Sequence, residues 1–507
     1  MDSAAGIIDS RRRMMIIFSA LLALFLGALD ALIMTAAMPT IVSELGELHL
    51  YSWVYSAYLL ARAVSLPVFG KLGDLFKNKH IFLISIAIFL LSSTTAGFSP
   101  NMAFLVVCRV FQGIGAGGIF AMVYIILADI SPPGRRTKTM SFASSVWGIA
   151  SVLGPTLGGF IVSYMSWRWI FFINLPLGLL SLGGISFFLM EIREKRRKVS
   201  LDLLGILTLS VSIVGLLSLF LAGGNEVAWG SPQIMILLLI TVLAGMGFIY
   251  VEKRAIDPII SLDFFKKRGF AVGNASVFMS SFAIFAFFAF APIFIQGAQG
   301  KSPMQTGIAM LSLSLGWSMG SIIFGQISNR LGPKTAAIAG AACLVAGCGL
   351  SLTFDRQTSM VFSFLVFQVV GLGMGFVALS TLVIVQNSVA PSDLGVATSS
   401  HQFVRTVGGT VGIGVCGGLL MSRLSTAIDS LADKEFGRIL PQILLNQPHK
   451  NFENLLRPEF QMLLSDSSRR ALQSCIADSV QLVFWVALVV ALFCLGICFL
   501  LPDCRRK

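Results

Sequence analysis

The sequence predicts an all-α polytopic membrane protein: two six-helix halves plus two additional central helices, fourteen transmembrane helices in all. Three observations predict this class: an apolar composition, a succession of long apolar segments, and a polar motif that occurs twice. Of 507 residues, 56% are hydrophobic and 12% are charged, whereas soluble domains carry roughly 25% charged residues. A soluble core cannot bury so much apolar surface, so lipid must solvate the chain.

Fourteen apolar segments are long enough to cross a bilayer, which takes about 20 residues in a helix. The first segment is too long for a signal peptide and lacks a small-residue cleavage site, so we expect it to be a retained helix. An even number of crossings places both termini on one side. The segments are about 14–38, 51–70, 80–98, 103–128, 139–163, 168–190, 202–222, 232–251, 270–292, 305–327, 335–353, 360–386, 396–421 and 479–501.

The repeated motif divides the chain into halves. Residues 70–79 read GKLGDLFKNK and residues 325–334 read GQISNRLGPK, 255 positions apart. At that offset the first five segments match segments nine to thirteen, and repeated halves are typical of secondary transporters. We expect an outer-face insertion at 422–478 either to form two short amphipathic helices or, equally, to be a disordered loop. The predicted regions are a cytoplasmic N-terminus (1–13), an N-terminal half (14–190), a linker with two accessory helices (191–269), a C-terminal half (270–501) that includes the insertion (422–478), and a cytoplasmic tail (502–507).

Positive charge predicts the orientation. The net charge is +13, but the basic residues form short clusters between apolar segments, which indicates the positive-inside rule rather than nucleic-acid binding. Three basic residues lie in the opposite short loops, namely Arg168, Lys301 and Arg356. We therefore expect a multi-pass protein of the cell (cytoplasmic or inner) membrane with both termini in the cytoplasm.

The motif GKLGDLFKNK predicts a latch at the inner face. Gly70 allows helix two to pack closely, Asp74 can cap a helix or pair with a base, and Lys79 can meet anionic headgroups. The loop resembles the Gly-x-Leu-x-Asp-Arg-x-Gly-Arg-Lys loop of the major facilitator superfamily, where it stabilises the state closed to the cytoplasm. In the second copy Asn329 replaces the aspartate and Arg330 matches. A turn that merely carries basic residues is the simpler interpretation.

The first copy departs from the family pattern at three positions, and these departures weaken the expected latch. The positions are Leu75, Lys77 and Asn78, where the family has Arg, Gly and Arg.

The segment RVFQGIGAGG at 109–118 places charge inside an apolar helix. Arg109 and Gln112 share a helix face, and Gly113 and Gly117 permit close helix packing. A buried arginine is costly and needs an acidic partner. The segment is similar to a superfamily motif in helix four that is implicated in proton transfer; a purely structural ion pair is the alternative.

The segment GIASVLGPTLGG at 148–159 predicts a bent helix with a flat face. Pro155 removes a backbone donor, and Gly154, Gly158 and Gly159 leave room for a neighbouring helix. This segment resembles the antiporter signature of the superfamily, which implies export rather than uptake. Ordinary glycine packing is the alternative.

Asp30 is the acidic residue that lies well inside an apolar segment. A carboxylate at such a depth is a candidate proton carrier, with a permanent ion pair as the alternative. Arg62 interrupts helix two at a similar depth, so Asp30 can face either Arg62 or Arg109. Two bases beside one acid suggest that the cargo is neutral, zwitterionic or anionic; the alternative is that Arg62 only neutralises Asp30 or reaches an interface.

The resemblance extends over nearly the whole chain, through SWRWIFFINLPLG at 166–178, GLGMGF at 371–376 and VQNSVAPSDLGVATSSHQFVRTVGG at 385–409. With fourteen helices the chain resembles the drug:proton antiporter branch of the superfamily. The resemblance implies proton-coupled export of lipophilic small molecules by alternating access, through Asp30 and Arg109. The candidate pocket residues are Met34, Tyr55, Arg62, Gln112 and Trp147.

The alternative function is export of a lipid, lysolipid or other amphipathic anionic metabolite, without obligatory proton coupling. A membrane-embedded enzyme is not expected, because the sequence has no Ser/His/Asp set and no His-Glu-x-x-His motif, and a non-transporting receptor is a further alternative. We expect no cofactor, no metal and no nucleic acid, with the proton gradient as energy source because there is no P-loop. We expect a monomer in contact with membrane lipids, with a periplasmic or surface partner as a further option.

Overall fold

A computed structural model describes residues 9–45, 50–131, 135–191, 202–222, 230–255, 258, 262–301, 303–432 and 466–503. Within these ranges the regular structure is helical, with a helix over each of the fourteen predicted segments. The helices are α1 (Ser10–Leu45), α2 (Tyr51–Leu75), α3 (Asn78–Gly97), α4 (Met102–Ile130), α5 (Arg136–Tyr164), α6 (Trp169–Phe172), α7 (Asn174–Phe188), α8 (Leu203–Ala222), α9 (Pro232–Glu252), α10 (Arg268–Ile293), α11 (Pro303–Leu331), α12 (Pro333–Ser351), α13 (Met360–Asn387), α14 (Leu394–Ala432) and α15 (Asp466–Phe499).

Eleven helices in the described residues are long and apolar enough to cross a membrane. They do not include α2 and α5, and α8 contributes a shorter apolar helix over Leu203–Leu216. The predicted all-helical membrane protein is therefore confirmed, whereas fourteen crossings stay an expectation. The sixth predicted segment is divided at Ile173 into α6 and α7. Two short amphipathic helices were expected in the insertion, most of which (433–465) lies outside the described residues.

Several helices extend beyond the apolar segments that predicted them. The first is predicted over 14–38 but α1 covers Ser10–Leu45, and α14 and α15 continue to Ala432 and from Asp466. An α-helix satisfies its backbone hydrogen bonds internally, so it need not end where the lipid ends.

The bundle has two halves with a helix pair beside them. In the N-terminal half α1 packs against α5 and α7, and α4 packs against α2 and α3; in the C-terminal half α10 packs against α14 and α15, and α13 against α11 and α12. The halves meet along α2–α14 and α5–α11. The accessory helices α8 and α9 pack against each other, and α8 also contacts α2 and α14.

The glycines of α4 bring two backbones together, as their spacing predicts. A Cβ at Gly113 would lie 2.5 Å from the carbonyl oxygen of Tyr58, and one at Gly117 would lie 2.5 Å from the Cβ of Ser65. Small residues at such positions let membrane helices approach closely. This close approach of α2 and α4 sets the position of the polar groups described next.

Candidate functional site: a buried carboxylate and the contact between the halves

Asp30 and Arg109 form a fully buried ion pair inside the N-terminal half. Arg109 Nη1 lies 2.6 Å from Asp30 Oδ2, and the two side chains are 1% and 0% exposed. Asp30 comes from the middle of α1 and Arg109 from α4. Burying either charge alone would be very costly, so each requires the other.

Two amides complete the hydrogen bonds of the carboxylate. Gln112 Nε2 donates to Asp30 Oδ1 at 2.8 Å, and its Oε1 accepts from Arg109 Nη1 at 2.8 Å. Asn174 Nδ2 also donates to Asp30 Oδ1, at 3.2 Å, and to Ser93 Oγ at 3.0 Å. The carboxylate is therefore held by donors from α4 and α7, with Ser93 of α3 behind them.

Tyr58 of α2 covers the arginine. Its ring centroid is 4.2 Å from Arg109 Cζ, a cation–π distance, and its hydroxyl donates to the carbonyl oxygen of Gly27 at 3.2 Å. Arg109 Nε donates to the carbonyl oxygen of Val54, also on α2, at 3.4 Å. We call Asp30, Arg109, Gln112, Asn174 and Tyr58 the carboxylate site; it connects α1, α2, α4 and α7.

Arg62 does not pair with Asp30, which settles the choice that the sequence left open. Its guanidinium lies 5.1 Å from the ring centroid of Phe120 and 5.7 Å from that of Tyr58. The Tyr58 ring therefore contacts both arginines, with Arg109 on the Asp30 side. Helix depth alone allowed the pairing of Asp30 with Arg62, but the direction of the side chain excludes it. Arg62 Nη1 is buried and has no hydrogen-bond partner.

The five predicted pocket residues fall into three groups instead of one. Met34 is fully buried, and Met34 and Tyr55 belong to an apolar cluster with Trp167. Gln112 belongs to the carboxylate site. Arg62 and Trp147 flank Phe120, whose ring centroid is 5.6 Å from that of Trp147. Their role as one cargo pocket stays a prediction.

Asp74 links the two halves. Its Oδ1 accepts from the backbone N–H of Gly395 and its Oδ2 from that of Val396, both at 2.8 Å, in the first turn of α14. A carboxylate at a helix N-terminus satisfies free N–H groups and meets the positive end of the helix dipole. A Cβ at Gly70 would lie 2.0 Å from Ser399 Oγ, so the backbones of α2 and α14 nearly touch here.

Three further predicted gating residues lie in the two loops. The backbone N–H of Lys79 lies 3.4 Å from Glu191 Oε2. Arg330 is exposed in the last turn of α11, and the side chain of Asn329 lies outside the described residues. Gly332 has a positive φ of 73°, which explains glycine at this turn; Lys77, its counterpart, is extended with φ −61°.

The α5 motif packs within its own half. A Cβ at Gly154 would lie 2.7 Å from the Cβ of Leu32, so this glycine lets α5 approach α1. Gly158 is buried, whereas a Cβ at Gly159 would meet no atom within 4 Å. The Pro155 side chain lies outside the described residues. Contact with the other half comes from Gly148, whose Cβ would lie 2.3 Å from Ser318 Oγ of α11.

Three polar side chains had no predicted role, one at the carboxylate site and two on α14. Asn174 follows the SWRWIFFI stretch, and its signal is an amide inside an apolar segment. Arg405 and Gln402 lie in α14, beside Tyr124 of α4, and Arg405 Cζ is 5.7 Å from the ring centroid of Trp317. Arg405 is a charged residue inside a predicted transmembrane segment. Because burying a charge there is costly, the sequence could have indicated a functional role for this residue.

A second ion pair closes the far end of α1. Glu44 accepts from Arg168 and, at 2.8 Å, from Trp167 Nε1. The hydrogen bond from Arg168 is the main cause that lowers the pKa of the Glu44 carboxyl from its ordinary value of 4.5. This pair is partly exposed, so solvent screens it and it contributes little stability. In the described residues no group of three or more His, Cys, Asp or Glu side chains could hold a metal ion.

Comparison with known proteins identifies the class first. The family match and the transporter names of the relatives given below indicate a membrane transporter rather than an enzyme. The family model described as "Major Facilitator Superfamily" matches residues 20–413. The chain belongs to the major facilitator superfamily.

Relatives of known name are transporters. The chain is 33% identical to multidrug transporter protein MdtP of Bacillus subtilis, over 94% of this chain and 91% of the relative. It is 32% identical to multidrug resistance protein 3 of the same species, over 79% of this chain and 78% of the relative. It is 29% identical to efflux pump aflT of Aspergillus parasiticus, over 97% and 96%.

Solved structures support the fold. The human organic anion transporter MFSD10 gives a TM-score of 0.61 at 14% identity, over 94% of this chain and 99% of that one. A bacterial homologue of the lysosomal transporter Spinster gives 0.55 at 13% identity, over 97% of each chain. The predicted major facilitator fold is confirmed.

Proposed function

We propose that this transporter exports lipophilic small molecules in exchange for protons, by alternating access, as a fourteen-helix antiporter of the cell membrane with both termini in the cytoplasm. The observation that carries the proposal is the Asp30 carboxylate, fully buried and held by Arg109, Gln112 and Asn174. Buried acids in membrane helices mark proton and ion pathways. The names of the multidrug relatives support the direction and the cargo class.

A proton on Asp30 would change the site in a defined way. It would neutralise the carboxylate, so the charge-assisted hydrogen bonds from Arg109 and Gln112 would weaken. Arg109 would then lose its counterion while it stays against Tyr58 and the Val54 carbonyl oxygen of α2. The unpaired buried charge would then destabilise the packing of α4 against α1 and α2.

Helix α2 would transmit this change to the contact between the halves. It carries Tyr58 at the carboxylate site and, four turns on, Gly70 and Asp74 at the start of α14. A proton and a cargo molecule that stabilise different positions of α2 would shift the balance between a state in which Asp74 contacts α14 and a state in which this contact is open. The latch expected of Asp74 would then hold the inner-closed state.

The energy source and partners follow from the same proposal. The proton gradient would drive export without any cofactor. Membrane lipids would contact the outer face of the bundle, and the protein would act as a monomer.

Export from proteoliposomes under an imposed proton gradient tests the proposal. Wild-type protein is compared with Asp30→Asn, using a lipophilic dye as cargo and measuring dye binding in parallel. Because Asn cannot exchange a proton in this way, we expect gradient-driven export to fall at least about 100-fold with dye binding retained. Glu44→Gln is the matched control: an acid on the same helix, exposed and paired with Arg168, and we expect its export to be unchanged.

Each possible result decides the matter. Unchanged gradient-driven export by Asp30→Asn would contradict the coupling role of Asp30. Export that never responds to the gradient in wild type would replace the antiporter by the alternative, an exporter driven by the cargo gradient alone. If Asp30→Asn does not fold, Asp30→Glu is measured instead. This variant keeps an exchangeable carboxyl group, so the proposal requires its export to respond to the gradient as in wild type.

A further inference from the structure

A second charged cluster lies where the two halves face each other, next to the carboxylate site, since Arg62 also contacts the Tyr58 ring. Arg62 of α2 rests on Phe120, and Arg405 of α14 lies beside Tyr124. Phe120 and Tyr124 are one turn apart on α4, so they present neighbouring positions on one helix face. Arg62 and Arg405 therefore lie beside neighbouring positions of α4, one from each half.

The two arginines lie at the same depth. Arg62 is thirteen residues from Leu75 at the end of α2, and Arg405 is eleven residues from Leu394 at the start of α14, and Asp74 joins these two helix ends. At 1.5 Å per residue both guanidinium-bearing residues lie roughly 17–20 Å from that contact, which is near the middle of a bilayer. Both side chains are nevertheless only partly buried.

Within the part of the chain that the structure describes, this cluster has positive charge without a compensating acid. Among the ion pairs of the described residues, those of Asp30, Glu44, Asp263 and Asp466 do not include Arg62 or Arg405. Asp30 is already held by Arg109. Two like charges at membrane depth without a counterion are unfavourable, and an anion between them would relieve both the repulsion and the desolvation.

Unused donors and aromatic rings surround the two charges. Arg62 Nη1 and Trp147 Nε1 are buried with no hydrogen-bond partner, and both residues contact Phe120. On the other side Trp317 of α11 lies 5.7 Å from Arg405 Cζ. The arginine pocket (Arg62, Arg405, Phe120, Tyr124, Trp147 and Trp317) therefore combines charged donors with flat apolar walls, a pairing suited to an amphipathic anion.

We infer that the arginine pocket binds the anionic headgroup of an amphipathic organic acid, a carboxylate or comparable oxyanion, through one arginine from each half. This inference rests on the proposed function and specifies its cargo class. Because α2 and α14 belong to different halves, such a ligand would join them at midplane. The two positive charges would repel a lipophilic cation there.

A matched pair of probes tests the pocket without any gradient. The purified protein in neutral detergent is titrated with 11-(dansylamino)undecanoic acid and with its methyl ester, and energy transfer from tryptophan reports binding. We expect the acid to bind at least tenfold more tightly than the ester. Arg62→Gln and Arg405→Gln should each reduce this preference at least fivefold while the ester affinity stays the same, and the double variant should abolish it.

Control variants separate the pocket from general surface charge. Arg254→Gln removes an exposed arginine at the end of α9 and should leave the preference unchanged. If a glutamine variant does not fold, the lysine variant at that position must lower the preference, because lysine keeps the charge but lacks the planar fork. Equal affinities of acid and ester in wild type, or a preference that survives the double variant, would overturn the inference.

Two competitors distinguish the sources of the anion. Displacement of the dansyl acid by octanoate assigns the pocket to a soluble carboxylate, and displacement by phosphatidylglycerol alone assigns it to a lipid headgroup. Displacement by neither contradicts an anion site. The proposed function and the pocket can be rejected separately. Export that does not respond to the gradient would reject the proposed function but not a measured preference for the acid. Gradient-driven dye export without a preference for the acid would reject only the pocket.

Discussion

The two halves have corresponding helices but differ in what fills their centres. In the N-terminal half the centre holds an ion pair, two amides and a tyrosine around Asp30. In the C-terminal half it holds packed phenylalanines: the rings of Phe287 and Phe484 are stacked with centroids 5.0 Å apart, and Phe354 contacts both Phe367 and Phe484.

The repeat makes the contrast specific. At the offset of 255 residues, the positions of Asp30, Arg109 and Gln112 correspond to phenylalanines in the C-terminal half. Those residues are Phe285, Phe364 and Phe367. A buried polar network must satisfy every member, whereas aromatic packing needs only shape. The comparison teaches that, at these three positions, one half of the repeated fold holds a buried ion pair with its amide and the other holds phenylalanine rings.

Loss of Arg109 should have the largest effect, because it breaks the responsive half. Arg109→Leu leaves the Asp30 carboxylate buried without a counterion, which costs about 3–5 kcal/mol. We expect a lower thermal midpoint in detergent and no gradient-driven export. The double variant Asp30→Leu/Arg109→Leu should recover most of the midpoint but not the export.

The matched control for that variant is Arg168→Leu, which breaks the partly exposed pair with Glu44 and should cost at most about 1 kcal/mol. Equal destabilisation by Arg109→Leu and Arg168→Leu would show that the central pair is not special.

Loss of an aromatic ring should affect the supporting half differently. Phe287→Ala removes a fully buried side chain that stacks on Phe484, and the cavity should cost about 3 kcal/mol. We expect a lower thermal midpoint with an unchanged ratio of export with and without the proton gradient. A changed ratio would mean that the C-terminal half also takes part in coupling. Phe493→Ala, which removes an exposed ring from α15, is the control and should leave both quantities unchanged.

A methyl group at Gly70 should shift the balance between states with the smallest loss of stability. Its Cβ would lie 2.0 Å from Ser399 Oγ and 2.8 Å from the Gly395 carbonyl oxygen, and overpacking of this kind costs about 1–3 kcal/mol. Gly70→Ala should therefore favour the inner-open state by about 5- to 150-fold.

Spin labels attached through Lys77→Cys and Pro391→Cys would measure the distance across the inner contact, which should lengthen in Gly70→Ala. Gly159→Ala is the control, because a Cβ there would meet no atom within 4 Å. An unchanged distance in Gly70→Ala would contradict the view that this contact closes the inner face.

The sequence by itself determined the helices, the repeat and the identity of the candidate ion-pair residues. Hydropathy locates helices because the bilayer fixes their minimum length, and the cost of charge in lipid marks residues such as Asp30, Arg62 and Arg109. The two repeated loops and the family resemblance were also recognisable, because they depend on the order of residues along the chain.

Only the tertiary structure decided which charges meet. Depth along α1 and α2 allowed Asp30 to face Arg62, but side-chain direction and the intervening Tyr58 ring selected Arg109. The partner of Asp74 lies more than 300 residues away on α14. Such pairings depend on the rotation of each helix about its own axis, and packing against several neighbours sets that rotation.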